Sequence, residues 1–491
     1  MTAMLHAEWT KLRTVRGWVI AMLLVPIMTV GLSALISSGS ECGYQFPGPN
    51  GQMISGGCSA PTGPGGELVQ DKLYFVHQAL AGDGSITVRM TALTSANLQP
   101  WAKAGIIVKA NTVPGSAYAA MMVTGAHGVR MQWNYTQDTS GMPGSPSAVS
   151  PRWLRLVRSG DTVTGSDSAD GLRWSKVGAV TLSGLPSIVQ VGLFATSPQP
   201  QSGAAAVSVS NTVSATGTFD QISVVGATHG PRAGTSIGEG PDELPTGDYH
   251  QAGDALLVSG QGDIAPDADE AGGNATPISH TLNGLFAGLI VAIVLGTTFV
   301  TAEYRRGMIR TTLAASPPRG RVLAAKAVVV GAATFVAGLI GCAIAEPIGS
   351  HLLRSHGNVM EPVTSLTLLR VEAGTAAVFA ATAVLGVALG AIFRRGADAV
   401  TTAIVVVILP WFLAVSSPAL PGTVADWLLR VSPSAALAIQ QTIPRYPQVD
   451  GTYLPFNGFY PLAPLAGFAV LCAWIAAALW VAGYLLRRRD V

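Results

Sequence analysis

Long uncharged stretches alternate along this chain with short basic ones, and one Gly-, Ser- and Thr-rich block interrupts the series. Trp18 to Ile36 is the first uncharged apolar run, long enough as a helix to cross about 30 Å of hydrocarbon. Pro26 predicts a kink in it. A signal peptide has a shorter apolar core, about 7–15 residues, so a retained span is expected. Five further runs predict spans at about 282–301, 322–345, 371–393, 399–415 and 462–486. Before the first span, Leu5, Trp9, Leu12 and Val15 recur at helical spacing among Glu8, Lys11, Arg13 and Arg16. That pattern predicts an amphipathic helix in the membrane interface, so residues 1–37 form an interfacial helix plus a span. Ionisable groups in the runs lie at their ends: Lys326, expected to snorkel, and Glu372. No proton relay or buried ion pair is expected, which argues against an ion-coupled secondary transporter. Small residues are frequent instead. Gly386-x-x-x-Gly390 permits close helix contact, either as static packing or as a sliding interface between copies.

The block from Ser37 to His280 has period-two patterning. Ser85-Ile-Thr-Val-Arg-Met-Thr alternates strictly, and Tyr118–Thr124, Trp153–Arg158, Val189–Phe194 and Phe219–Val224 are further strand candidates. Turn signals at Gly82-Asp-Gly, Pro114-Gly, Ser159-Gly-Asp and Ala169-Asp-Gly separate them. Many short strands punctuated in this way predict an all-β sandwich over 38–226, with its core at about 68–225. Residues 227–279 are expected to be a linker in which Ala255-Leu-Leu-Val returns one strand, and 280–491 holds the remaining five spans. The fold class is therefore an α-helical polytopic membrane protein with six transmembrane helices and an inserted β sandwich.

Composition supports this and adds orientation. The chain is 49% apolar and 11% charged, against about 25% charged in a typical soluble domain. Net charge is +2, which gives no reason to expect nucleic acid. Lys11, Arg13 and Arg16 precede the first span. Arg305, Arg306, Arg310, Arg319 and Arg321 follow the second, Arg394 and Arg395 the fourth, and Arg487, Arg488 and Arg489 the sixth. In a six-span arrangement all four groups fall on one side, which the positive-inside rule makes cytoplasmic. Both termini are then cytoplasmic and the sandwich is extracellular. Cys42 and Cys58 flank a Gly/Pro-rich stretch on that outer side, where a disulfide between them is expected. No Cys/His cluster suggests a metal site.

Two segments carry a family resemblance: His6-Ala-Glu-Trp-Thr-Lys-Leu-Arg-Thr-Val-Arg-Gly-Trp, and Val300-Thr-Ala-Glu-Tyr-Arg-Arg-Gly-Met-Ile-Arg-Thr-Thr-Leu with the following Ser316-Pro-Pro-Arg-Gly-Arg. They resemble actinobacterial ABC exporter permeases of the second type. The resemblance covers the membrane region and not the inserted block. It implies a plasma-membrane, multi-pass permease subunit without a nucleotide site, paired with itself or a homologue and energised by a separate ABC ATPase subunit that holds ATP and Mg. The sequence has no GxxxxGK[ST] loop to cradle phosphates. It also implies a coupling loop at Glu303, Tyr304, Arg305, Arg306, Gly307, Ile309, Arg310 and Leu313, read as a short amphipathic helix ended by Ser316-Pro-Pro. Glu8, Trp9, Lys11 and Arg13 supply a second contact. The alternative role for these arginines is to bind anionic membrane lipid and fix topology.

In the inserted block, Asp83–Met90, Trp101–Val108, Ala119–Thr124, Gly128–Trp133, Arg152–Gly160 and Ser168–Trp174 resemble concanavalin-like jelly rolls. Such a fold does not by itself settle function. Retaining glycoside hydrolysis needs two carboxylates about 5–5.5 Å apart, yet 68–238 contains no glutamate and its aspartates fall mostly in turn contexts. No catalytic residue is expected. Trp101, Trp133, Trp153 and Trp174 could stack on an extracellular glycan, or could fill the sandwich. The rival to an exporter permease is a membrane-anchored carbohydrate receptor or sensor without transport.

Overall fold

The computed structural model describes residues 2–40, 44–47, 53–56, 60–199, 213–239, 245–267, 275–305, 307–308, 319–416, 420, 422–449 and 453–488. It divides into two units: Met1–Cys58 with Ala275–Arg445 and Tyr453–Val491, and Ser59–Asn274 with Tyr446–Thr452.

The first unit is helical: α1 (Thr2–Thr14), α2 (Arg16–Ser38), α3 (Leu285–Arg305), α4 (Arg319–Ser355), α5 (Ser365–Phe393), α6 (Gly396–Val407), α7 (Leu409–Ser416), α8 (Gly422–Val431) and α9 (Pro464–Arg488). Six segments are long and apolar enough to cross a membrane: α2, α3, α4, α5, the α6–α7 pair and α9. The helices run past the expected ends because amphipathic turns extend the apolar runs. α4 continues through Pro347 to Ser355, and α5 starts at Ser365, where the Thr364 hydroxyl caps the Thr367 amide. The fifth span breaks at Ile408, before Pro410, whose missing N–H cannot continue the ladder.

α3, α4 and α5 bury half or more of their residues inside the unit, while α2 and α9 turn most of theirs outward. Contact between α3 and α5 depends on small residues. A Cβ on Gly296 would lie 2.1 Å from the Ala383 carbonyl oxygen. On the facing helix, Cβ atoms on Gly386 and Gly390 would lie 3.1 Å and 2.8 Å from the carbonyl oxygens of Ile293 and Thr297. The Gly386-x-x-x-Gly390 motif thus serves packing within one chain. After α2, strands β1 (Tyr44–Pro47) and β2 (Met53–Gly56) form an antiparallel pair. Cys42 and Cys58, which flank it, lie outside the described residues.

The second unit is an antiparallel β sandwich: β3 (Val69–Asp71), β4 (Leu73–Thr94), β5 (Lys103–Lys109), β6 (Tyr118–Thr124), β7 (Val129–Trp133), β8 (Gln137–Ser140), β9 (Arg152–Ser159), β10 (Thr162–Ser168), β11 (Ser175–Thr181), β12 (Ile188–Thr196), β13 (Ala215–Ile237), β14 (Gly247–Ala252), β15 (Ala255–Gly260) and β16 (Ile264–Pro266). The principal order is β11-β10-β9-β4-β12-β5-β6-β7-β8. β4 and β13 pair along nearly their whole lengths and bend together between the layers. The bend falls at Gly82 (φ +68°) and Gly226 (φ +135°), conformations a side chain disfavours. β4 then pairs β12 on one side of the bend and β9 on the other.

The expected linker over 227–279 is largely sheet. β13 continues to Ile237, and β14, β15 and β16 follow. Among the described residues, Gly253 and Asp254 make the turn between β14 and β15, and Gly230 and Gly234 lie within β13. In β5 the alternation is legible: Ala104, Ile106 and Val108 enter the main core, while Ile107 joins a second cluster with Phe75, Tyr118, Phe194 and Ile264. On that second face, Lys103 bonds Asp263 at 2.7 Å and Lys109 bonds Asp71 at 2.6 Å, all four buried. The same Asp71 oxygen accepts from the Tyr135 hydroxyl at 2.7 Å and from the Gly115 amide at 2.8 Å. These pairs fasten β3 and β16 onto β5 and close the face. Gln448 completes this unit by donating to the carbonyls of Tyr135 and Thr136 at 3.2 and 2.9 Å.

A leucine at Gly296 is expected to destabilise the helical unit by about 1–3 kcal/mol through overpacking. A leucine at Gly31, which has nothing within 4 Å of its Cβ position, serves as the control. Thermal unfolding in detergent should separate the two variants; equal midpoints would contradict the assigned α3–α5 packing.

Candidate functional site

The helical unit contains a cluster of four charges, three of them buried and the fourth, Lys11, half-buried. Glu8 and Lys11 stand one turn apart on α1, beside Leu12, which is fully buried. Glu303 lies in the last turn of α3, and Lys326 two turns into α4. Lys326 Nζ bonds Glu8 Oε1 at 2.8 Å and Glu303 Oε1 at 2.7 Å. Lys11 pairs with Glu303 and approaches Glu8 at 3.9 Å. Glu8, Glu303 and Lys326 are 8%, 1% and 2% exposed. Both ammonium groups also lie over the Phe299 ring, 5.4 and 5.1 Å from its centroid.

This corrects two expectations. Lys326 does not snorkel, and a buried ion-pair network does exist in the helical unit. The physical reason is local stoichiometry: two carboxylates and two ammonium groups sum to zero, so each buried charge meets an opposite one. Oε2 of Glu8 and Oε2 of Glu303 accept no bond among the described residues. Lys11, on the α1 side of the spans, has its pKa pushed down from 10.5 to about 8. Burial is the main cause and the Lys326 ammonium the next, with Glu8 opposing them.

The amino-terminal helix turns only part of its expected apolar stripe inward, with Leu12 fully buried and Leu5 packed against the core. Glu8 and Leu12 point inward, while Trp9, at 44% exposed, Arg13 and Val15 point out. In the expected coupling loop, Glu303, Tyr304 and Arg305 complete α3 and do not begin a separate helix. Tyr304 is half-buried and Arg305 exposed. Gly307 follows at φ +68°, a left-handed turn that ends the helical path. Arg306, Ile309, Arg310 and Leu313 lie outside the described residues.

The four tryptophans are not gathered into one platform. Trp101 is 3% exposed and stacks on His127 at 4.1 Å, so it has no free face for a sugar. Trp133 is half-buried against the main core. Only Trp153 and Trp174 share a neighbour, Gly171. The Trp153 ring covers its Cβ position at 2.7 Å, and Trp174 Nε1 donates to its carbonyl at 3.1 Å. The Arg155 guanidinium lies 3.8 Å from the Trp174 ring centroid. Among the described residues no group of three or more His, Cys, Asp or Glu side chains could hold a metal.

Six apolar segments with a sandwich inserted after the first, and charges gathered where α1 meets the ends of α3 and α4, define a polytopic membrane protein of the permease type. The family model for "ABC-2 family transporter protein" matches residues 3–491, and the chain belongs to that family. It is therefore a membrane permease component of an ABC transporter. No curated protein matches significantly. Among solved structures, a functionally unknown Saccharomyces cerevisiae protein is 13% identical over 38% of this chain and 84% of its own, with a TM-score of 0.24. Scytalido-glutamic peptidase bound to a peptide-based transition-state analogue is 10% identical over 38% and 98%, at 0.25. Sheep galectin-11 is 13% identical over 25% and 92%, at 0.17. Scores this low say nothing about activity.

Two outcomes follow for the cluster. Glu303→Gln or Lys326→Met should each cost about 3–5 kcal/mol, because either leaves an uncompensated buried charge. The double variant Glu303→Met/Lys326→Met should cost less than their sum, read from unfolding midpoints in detergent. Competitive amine labelling across pH should place the Lys11 midpoint near 8. Lys326→Met removes a neighbouring cation that disfavours the charged form, so it should move that midpoint upward. No movement would separate the two lysines.

Proposed function

We propose that this chain is the permease subunit of an ATP-driven exporter, working as a homodimer or heterodimer of permeases with separate ATPase subunits that hold ATP and Mg. Both termini and the basic segments face the cytoplasm, and the sandwich faces the outside, where it binds substrate, a glycan or a partner. The observation that carries the coupling assignment is the four-charge cluster. It joins α1 to the end of α3, from which the basic segment Arg305–Arg310 departs, and to the start of α4. A force applied to that segment reaches three helices through groups that cannot separate without stranding a charge. Trp9 on the outward side of α1 suits the interface between lipid and water.

The decisive experiment is co-purification of the tagged full chain with its ATPase subunit. Charge reversal at Arg305, Arg306 and Arg310 together should abolish it, and survival of the complex would overturn the coupling assignment. Cysteines placed one at a time at Arg395 and Leu172 should react with an impermeant maleimide in intact cells at Leu172 only. The reverse result would invert the topology.

A further inference from the structure

Asp71 and Lys109 form the most deeply buried ion pair among the described residues, with both side chains fully shut from solvent. Lys109 Nζ lies 2.6 Å from Asp71 Oδ2. Two further donors, the Tyr135 hydroxyl and the Gly115 amide, converge on that oxygen at 2.7 and 2.8 Å. The other carboxyl oxygen, Oδ1, is equally buried and accepts no bond among the described residues. Tyr118 and Tyr135 flank the nitrogen, their ring centroids 5.8 and 5.7 Å away. Tyr135 is held there at a backbone cost. It follows Asn134 in the turn between β7 and β8, and the two stand at φ +64° and +43°, a left-handed region where a tyrosine is strained.

An ionised carboxylate offers acceptor sites on both of its oxygens. Here every donor gathers on one. That is the arrangement of a carbonyl oxygen in an oxyanion hole, beside a second oxygen that is free to leave. Burial pushes the Lys109 pKa down, with Asp71 opposing it. In so dry a place the neutral pair, an amine beside a carboxylic acid, avoids the desolvation that two ions incur. One proton moves from Nζ to Oδ1 to make it. The two hydrogens left on Nζ have Tyr135 Oη at 3.1 Å and the Ser116 carbonyl at 3.3 Å as acceptors, so the lone pair is available to the carboxyl group. Burial, with Asp71 next to it, pushes the Tyr135 pKa up, so this hydroxyl stays a donor.

We infer that Lys109 and Asp71 join in an intramolecular amide, a covalent tie between β5 and β3. The Nζ lone pair attacks Cγ, and the Cγ–Oδ2 π electrons move onto Oδ2, where the Gly115 N–H and the Tyr135 hydroxyl stabilise the charge. The tetrahedral centre then collapses. The bond from Cγ to Oδ1 breaks, and the Oδ1 hydroxyl leaves as water with a proton from Nζ. One C–N bond forms, one C–O bond breaks, one water is lost, and no oxidant or reductant takes part. The tie has a structural purpose. β3 is three residues long and is paired, among the described residues, with the equally short β16. Residues 59–274 contain no cysteine, so no disulfide within them can fix it. An amide closing residue 71 on residue 109 restricts the unfolded chain as a disulfide would. The Lys103–Asp263 pair serves as comparison. Asp263 Oδ1 meets Lys103 and the adjoining Ile264 amide, Lys103 also donates to the Ile264 carbonyl at 2.9 Å, and no hydroxyl among the described residues assists. That pair is expected to stay ionic. The amide does not depend on the exporter reading.

The test is mass spectrometry of the purified full chain. The wild type should be lighter than its sequence by one water. After denaturation and digestion, the peptide carrying Lys109 should be joined to the one carrying Asp71, with that water lost. Trypsin needs a free lysine, so it should cut the denatured chain after Lys103 and spare Lys109. Lys109→Met and Asp71→Ala should each restore the full mass. Tyr135→Phe removes one oxyanion donor and should slow amide formation about 100-fold, followed by pulse–chase labelling and mass spectrometry. A wild-type chain of full mass, with Lys109 open to trypsin, refutes the tie whatever the variants do. So does a water loss confined to the Asp71 peptide, which marks a succinimide, or a link from Lys103 to Asp263 in place of this one.

Discussion

Two buried glutamates, the buried Lys326 and the half-buried Lys11 together are the constraint on which the helical unit depends. Charges taken out of water repay their desolvation only when each meets an opposite charge at hydrogen-bond distance. Lys326 does so twice, with Glu8 and Glu303. The consequence is geometric. α1 gives only Leu5 and Leu12 to the helical core and turns Trp9 outward, so its apolar contact is small. Its position comes from Leu12 and from Glu8 and Lys11, which hold it to α3 and α4. In the absence of those pairs, α1 would be an ordinary surface helix with no defined partner.

Beyond the cluster, α3, α4 and α5 are held by a different device. Glycines at 296, 386 and 390 bring α3 and α5 into backbone contact, and Thr297 and Thr334 satisfy their hydroxyls on their own helices through Ile293 and Val330. Such packing is close and has no strong direction. The charges work at one end of the bundle, where direction matters, and the small residues work along its length, where closeness matters.

The sandwich repeats the charged device in another setting. Lys103–Asp263 and Lys109–Asp71 fasten two short strands across the second face of β5. Burial holds the Lys109 pKa down while Asp71 opposes it. β5 is buried on both faces, so apolar complementarity alone would not specify which strand covers it. Two ion pairs, six residues apart on β5, set the register. They also explain why a sugar-binding face does not form there: the chain's own β3 and β16 occupy it.

How much of this the sequence reveals depends on which kind of information each feature needs. The spans were legible because length and lack of charge suffice, and the sandwich because alternation and turn residues are local. The glycine motif was legible as close contact, though its partner helix was not. The cluster was not legible, because Glu8, Lys11, Glu303 and Lys326 each have an innocent local explanation at a helix end or in an interfacial helix. Only the fold brings Glu8 to its partner Lys326, 318 residues away in sequence. Trp101 stays open in the sequence for the same reason: a ring that could stack on a glycan or fill the sandwich reads the same until His127 is known to lie over it. The strands past Ala227 are not legible because Gly and Asp content reads as a linker, whereas Gly226, Gly230 and Gly234 lie in β13 where it pairs along β4. In each case the missing quantity was a long-range neighbour. A charged residue near the end of an apolar run is thus an incomplete observation until the opposite charge is found or shown to be absent. Arg370 and Arg394, near the two ends of α5, are positions where, among the described residues, that search ends without one.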